Sequence, residues 1–124
     1  MALPEFQLLR PRSLGEALEL LQKHAGDLQI AAGGTDLIPS LRQHLFSPRY
    51  VLDIRGIGEL RGIQARPGSG TSIGALTTLA EIEHSRHIRE SYPVLQQAAA
   101  TVASPILRNM GTLGGNICLD TRCL

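Results

Sequence analysis

The sequence predicts an α+β protein in two subdomains: a small N-terminal α/β unit over residues 1–55 and an incomplete second α+β subdomain over 56–124. Three observations predict it. Short apolar runs alternate with helical patterns as far as residue 55, two strand-like segments then flank a Pro-Gly turn, and two helical patterns follow that turn. With 124 residues, 43% of them hydrophobic, the chain is long enough for one core or for two small subdomains sharing one.

The elements follow in order. Phe6 to Pro11 is extended by its bulky residues and closed by proline. Ser13 stands as an N-cap with Glu16 three residues on, a capping box. Leu14, Ala17, Leu18, Leu20 and Leu21 make one apolar stripe, and Gly26 ends the helix. Leu28 to Ala32 is a short apolar strand that runs directly into Gly33-Gly34-Thr35-Asp36. A helix opened by Asp36 tolerates Pro39 because that residue falls in the first turn. Tyr50 to Ile54 is a third strand. Beyond Gly56, "ELRGIQAR" and "GTSIGA" read as a hairpin around Pro67–Gly70. One helix is expected from Thr78 through "TTLAEIEHSRHI", and an alanine-rich one through "YPVLQQAAATVASP". From Ile106 on, apolar residues separated by glycines show no helical period, and the chain reads as a fragment that stops just after a cysteine.

Composition narrows the function classes. Twelve basic and eleven acidic residues give a net charge of +1, which marks the molecule for neither nucleic acid nor an anionic membrane. Four aromatic residues, Phe6, Phe46, Tyr50 and Tyr92, make no stacking platform for single strands. Cys118 and Cys123, both near the C-terminus, are not the pattern of a disulfide-stapled secreted domain, so a reducing cytoplasm is expected. "MALPEFQLLRPRS" holds neither a signal peptide nor a membrane span.

Two Gly-Gly motifs carry the chemistry. "AAGGTDL" sits at a strand-to-helix junction, where glycines let the backbone approach an anion and free N–H groups favour negative charge. A tight connection alone explains such a turn as well, and the motif is neither G-x-G-x-x-G nor a P-loop. "GTLGGN", residues 111–116, adds Thr112 and Asn116 as side-chain donors around glycines expected to leave the backbone accessible. Its own alternative is a bulge or sharp bend between two strands. If both loops face one ligand, that ligand is long and carries more than one phosphate, which a dinucleotide satisfies. Other candidates are weaker. "GTSIG" matches the nucleophile elbow, but no His follows the one Asp downstream of Ser72. His84 and His87 read as a solvated helix face, and Cys118 as a buried, inert thiol.

Together "AAGGTDLIPSLR", "IGALTTLAEIE" and "SPILRNMGTLGGNI", in this order and spacing, resemble the flavin-binding subunit of the molybdenum hydroxylase family. That family includes xanthine dehydrogenase, carbon monoxide dehydrogenase and 4-hydroxybenzoyl-CoA reductase. The resemblance covers essentially the whole chain. It implies a two-subdomain FAD-binding fold of the vanillyl-alcohol-oxidase-like (PCMH) type, with FAD as cofactor. It places Ala32, Gly33, Gly34, Thr35 and Asp36 on one side of the FAD pyrophosphate, and Gly111, Thr112, Gly114, Gly115 and Asn116 on the other. The tail "CLDTRC" is similar to the β subunit of 4-hydroxybenzoyl-CoA reductase. That similarity implies Asp120 as an acidic residue near the flavin and Cys123 as the first ligand of a [4Fe-4S] cluster in the full-length subunit.

The activity so implied is that of an FAD-dependent oxidoreductase subunit, inactive as this piece alone, that passes electrons between FAD and iron-sulfur centres. Its implied partners are a molybdopterin-binding large subunit and a [2Fe-2S] small subunit, and no residue is expected to act as general acid or base. The alternatives are a generic xanthine or carbon monoxide dehydrogenase-type flavin subunit, a non-catalytic fragment, and a regulatory nucleotide-binding domain that prefers ADP or ATP.

Overall fold

Tyr50, Val51, Leu52 and Asp53 form a strand whose last three residues are all buried, a run that needs cover on both faces and a partner on both edges. The computed structural model, which describes residues 2–120, supplies the partners. In chain order, the first unit holds β1 (Gln7–Leu9), α1 (Leu14–Lys23), β2 (Leu28–Ala31), α2 (Leu37–Arg42) and β3 (Tyr50–Asp53). The sheet order is β1-β3-β2, all parallel, with Leu9 and Ile30 both level with Leu52. The chain thus moves across β3 to reach β2 and then steps back. Right-handed crossovers in opposite directions put α1 and α2 on opposite faces of the sheet. Ala17, Leu41, Val51, Leu52 and Ile57 are buried in this unit, together with Pro11 and Pro48.

The capping box expected at Ser13 forms in altered shape. The Ser13 hydroxyl accepts from the Glu16 N–H at 3.1 Å, but the Glu16 carboxylate accepts from Arg12 N–H rather than from that of Ser13. Asp36 does stand at the N-cap of α2, with no side-chain cap hydrogen bond. Pro39 fits because the flanking amides, Ile38 to the Gly34 carbonyl and Ser40 to the Asp36 carbonyl, carry the turn without it.

The second unit begins at Leu60, the first ending at Glu59. It contains the antiparallel hairpin β4 (Ile63–Arg66) and β5 (Gly70–Ile73), then α3 (Leu79–His84), α4 (Arg86–Ser91), α5 (Pro93–Ala100), α6 (Pro105–Arg108) and α7 (Leu113–Ile117). Its core gathers Ile82, Ile88 and Ala99, with Ile63, Ile73, Leu95 and Leu113 packed against them.

Three expectations are corrected here. The helix from Thr78 is two helices, because Ser85 leaves helical conformation and its hydroxyl accepts the Ile88 N–H, capping α4. The alanine-rich helix ends at Ala100, and Ala103 then takes φ +48° before Ser104 caps α6 with Pro105 in its first turn. The stretch from Ile106 on contains α6 and α7 rather than irregular chain, so Gly114-Gly115 is not a bend between strands. Helices of four and five residues are too short to show a period, and side-chain caps make them.

Candidate functional site

The first Gly-Gly loop leaves the carboxyl end of β2. Gly34 has φ +75°, a conformation open to glycine at no steric cost, and this turns the chain into α2. Ala32, Gly33 and Gly34 are half-buried, whereas Thr35 and Asp36 are exposed. Among the described residues, the N–H groups of Gly33, Gly34 and Thr35 donate no hydrogen bond within the protein. Three successive amides without an internal acceptor form a concavity of positive potential, the chemistry that a phosphate oxygen requires.

The same sheet edge carries charged side chains that sequence reasoning passed over. Asp53 ends β3, its side chain only 9% exposed. Its two oxygens accept from Arg55 Nε at 2.9 Å and Nη2 at 2.8 Å, and Oδ1 also accepts the Arg55 N–H. Arg10, just past β1, brings Nε to 3.9 Å from Oδ2. The Arg55 hydrogen bond outweighs burial and holds the Asp53 carboxyl below its ordinary value, while Asp53 in turn raises Arg55. The only hint in the sequence is an Asp closing an apolar strand and an Arg two residues later.

The second Gly-Gly segment is built differently. Its backbone is docked on residues 75–79: Leu79 N–H donates to the Gly111 carbonyl, Leu113 N–H to that of Thr77, and Gly114 N–H to that of Ala75. Gly115 N–H donates to the buried Thr112 hydroxyl, and Asn116 N–H to the Thr112 carbonyl. The amides of residues 113–116 are therefore all engaged, contrary to the accessible backbone expected there. Gly114 is small for a packing reason, since a Cβ would lie 2.8 Å from the Ala75 Cβ. What faces outward is the bare Gly115 backbone and the Asn116 side chain.

The remaining candidates fall as follows. Cys118 is exposed rather than buried, because it closes α7 where residues 115–120 are all exposed. Asp120 is exposed and Cys123 lies outside the described residues. His84 and His87 sit on separate helices; the latter is half-buried with Nε2 2.7 Å from the Thr71 hydroxyl. Ser72 lies inside β5 opposite Gln64, not at a strand-to-helix elbow. No group of three metal-ligating side chains occurs among the described residues.

The family model described as "FAD binding domain in molybdopterin dehydrogenase" matches residues 4–123. The chain belongs to this family. The medium chain of carbon monoxide dehydrogenase from Hydrogenophaga pseudoflava is 39% identical over 114 residues, 92% of this chain and 39% of the relative. Caffeine dehydrogenase subunit beta of Pseudomonas sp. (strain CBB1) is 35% identical over 91% of this chain and 38% of its own length. Among solved structures, carbon monoxide dehydrogenase from Hydrogenophaga pseudoflava superimposes with a TM-score of 0.90 at 38% identity, covering 94% of this chain and 40% of that one. Quinoline 2-oxidoreductase from Pseudomonas putida 86 gives 0.86 at 35% identity, over 93% and 40%.

The fold of this FAD-binding domain is thus the PCMH type, and its relatives are subunits of oxidoreductases. The chain spans about two-fifths of the relatives' length. No helix among the described residues is long and apolar enough to cross a membrane. The chemistry of the first loop, three amides with no acceptor among the described residues, fits the phosphate oxygens of FAD. At the second loop the fit is by absence of bulk and by one exposed amide side chain.

Proposed function

We propose that this chain is part of the flavin-carrying subunit of a molybdenum hydroxylase-type dehydrogenase. The observation that carries the reading is the run of unpaired amides at Gly33, Gly34 and Thr35 on a chain matched to an FAD-binding family along nearly its whole length. When bound, FAD supplies the redox chemistry and exchanges electrons with iron-sulfur centres of a partner small subunit, next to a molybdopterin-binding large subunit.

The protein's share is binding and orientation. The amides of Gly33, Gly34 and Thr35 take diphosphate oxygens, and Ala32 and Asp36 frame that turn at the start of α2. Gly115 admits the ligand to the backbone and Asn116 donates from its side chain. Gly111, Thr112 and Gly114 hold the segment in shape, the first two through their hydrogen bonds and the third through its lack of a side chain. Asp120, exposed beyond α7, would be the acidic residue near the flavin that the resemblance implies. Such an assembly works in a reducing cytoplasm.

Titration with FAD tests this. The chain should retain flavin through gel filtration, and at about 100 times Kd the ligand should add about 2.7 kcal/mol of stability. Equal or better stabilisation by ADP or ATP would favour a regulatory nucleotide domain, and no retention or stabilisation would sink FAD binding by this chain.

A narrower reading rests on "CLDTRC": a 4-hydroxybenzoyl-CoA reductase-like subunit with Cys123 as the first ligand of a [4Fe-4S] cluster. The two relatives compared above by sequence are dehydrogenase subunits, which favours the generic subunit. Iron and acid-labile sulfide in the isolated full-length subunit would support the narrower reading.

A further inference from the structure

The topology of the first unit singles out one place. Connections leave β1 and β2 toward opposite faces of the sheet, so the carboxyl end of β3, between them, is a topological switch point where parallel sheets open a crevice. On one side of it lies the Gly33–Gly34 turn, in it Asp53, and with Asp53 the two arginines. Two guanidinium groups on one carboxylate leave this cluster with one positive charge in excess, facing the exposed Asp36 at the turn. Arg55 is held to Asp53 by a forked pair through Nε and Nη2, and 51% of its side chain is exposed. Arg10 is 71% exposed.

We infer that Arg10 and Arg55, gathered by Asp53 at the carboxyl edge of the parallel sheet, form a cationic rim that binds the diphosphate of the dinucleotide alongside the Gly33–Gly34 turn. The inference rests on FAD as the ligand of this site. Its logic is division of labour. The turn supplies short-range amide donors that fix the diphosphate's position, whereas the arginines supply charge, and only Arg matches phosphate oxygens with a rigid planar fork. Asp53 orients Arg55 in advance, so that little side-chain freedom remains to be lost on binding. A purely structural brace is the rival account, because Asp53 Oδ1 also accepts the Arg55 N–H and fixes the chain's exit from β3.

The two accounts differ in ligand binding. The whole chain and its Arg55→Gln, Arg55→Lys and Arg10→Gln variants would be titrated with FAD, riboflavin and inorganic pyrophosphate, at low and at physiological ionic strength. The rim requires that Arg55→Gln raise the Kd for FAD about tenfold, the loss of one charge-assisted contact. Arg10→Gln should raise it severalfold. Both should flatten the salt dependence and leave riboflavin, which has no phosphate, unchanged. Arg55→Lys keeps the charge and loses the fork, so it should fall between parent and Arg55→Gln and serves if the latter folds poorly. FAD affinities within about twofold of the parent, with the same salt dependence, in Arg10→Gln and Arg55→Lys would overturn the inference. Should the parent fail to bind FAD, the proposed function fails, but pyrophosphate still decides the rim: binding weakened by these substitutions supports it, and no binding by the parent overturns it.

Discussion

At the scale of single residues, glycines that look alike in the sequence do different work. Gly34 is required by its backbone angle, Gly114 by its neighbour, and the two requirements predict different failures. Gly34→Ala forces a side chain into left-handed conformation and should cost about 1–2 kcal/mol, read as a lowered urea midpoint. It should also weaken FAD binding by disturbing the amide run. The doublets themselves were plain in the sequence, but the reason for the second was not, because Ala75 is nearly forty residues away from Gly114.

Asp53 belongs to the same scale. Its carboxyl is held below the ordinary value of 3.8, so the folded state binds its proton less readily than the unfolded state. The stability it contributes is therefore complete above about pH 4 and is lost as pH falls through the lower folded value. Asp53→Asn removes that dependence: parent and variant should differ most at neutral pH and converge on acidification, as measured by urea unfolding between pH 7 and pH 2. A constant difference over that range would show that the Asp53 carboxyl titrates alike in the folded and the unfolded chain. The sequence displayed Asp53 and Arg55 two residues apart, but Arg55 lies in the turn beyond β3, where spacing alone does not fix a side chain's direction, and the forked pair was not legible.

Among elements, side-chain caps and one buried ion pair decide where helices begin and how they lock. Thr78 and Glu81 make a complete capping box, each bonding the other's backbone N–H. Glu83 on α3 pairs with Arg108 on α6 at 3.0 Å, both side chains mostly buried, and Arg108 Nη1 donates to the Val102 carbonyl beside the strained Ala103. The pair ties α6, and with it the approach to the Gly111–Asn116 segment, onto α3. Glu83→Ala leaves Arg108 without its carboxylate and should cost about 3–5 kcal/mol in chemical unfolding, with Glu83→Gln costing less because a hydrogen bond survives. Long elements with caps were readable: the helix from Ser13 and the three strands of the first unit came out near their predicted places. The short helices after Ala100 were not, since a four-residue turn has no period and its stability comes from what it packs on.

For the whole molecule, the alternation of strand and helix up to residue 55, followed by a hairpin, reads as two subdomains divided at residue 55, and the chain contacts divide it at Glu59–Leu60. Two units are observed, one with a parallel sheet and one with an antiparallel hairpin. Linkage is the prediction that belongs here. The stabilisation by FAD proposed above should grow with the logarithm of its concentration beyond Kd, and a melting temperature that does not move with FAD would contradict it.

The sequence by itself determined the class of fold, the order of its elements as far as the hairpin and the two Gly-Gly segments, because these depend on local periodicity and on residues close along the chain. Only the tertiary structure decided which amides remain unpaired. It spent those of residues 113–116 on residues 75–79 and Thr112, left those of Gly33, Gly34 and Thr35 open, and brought Arg10 and Arg55 to one carboxylate. Whether a backbone donor is available depends on acceptors that arrive from distant parts of the chain, and that is settled only when the chain folds.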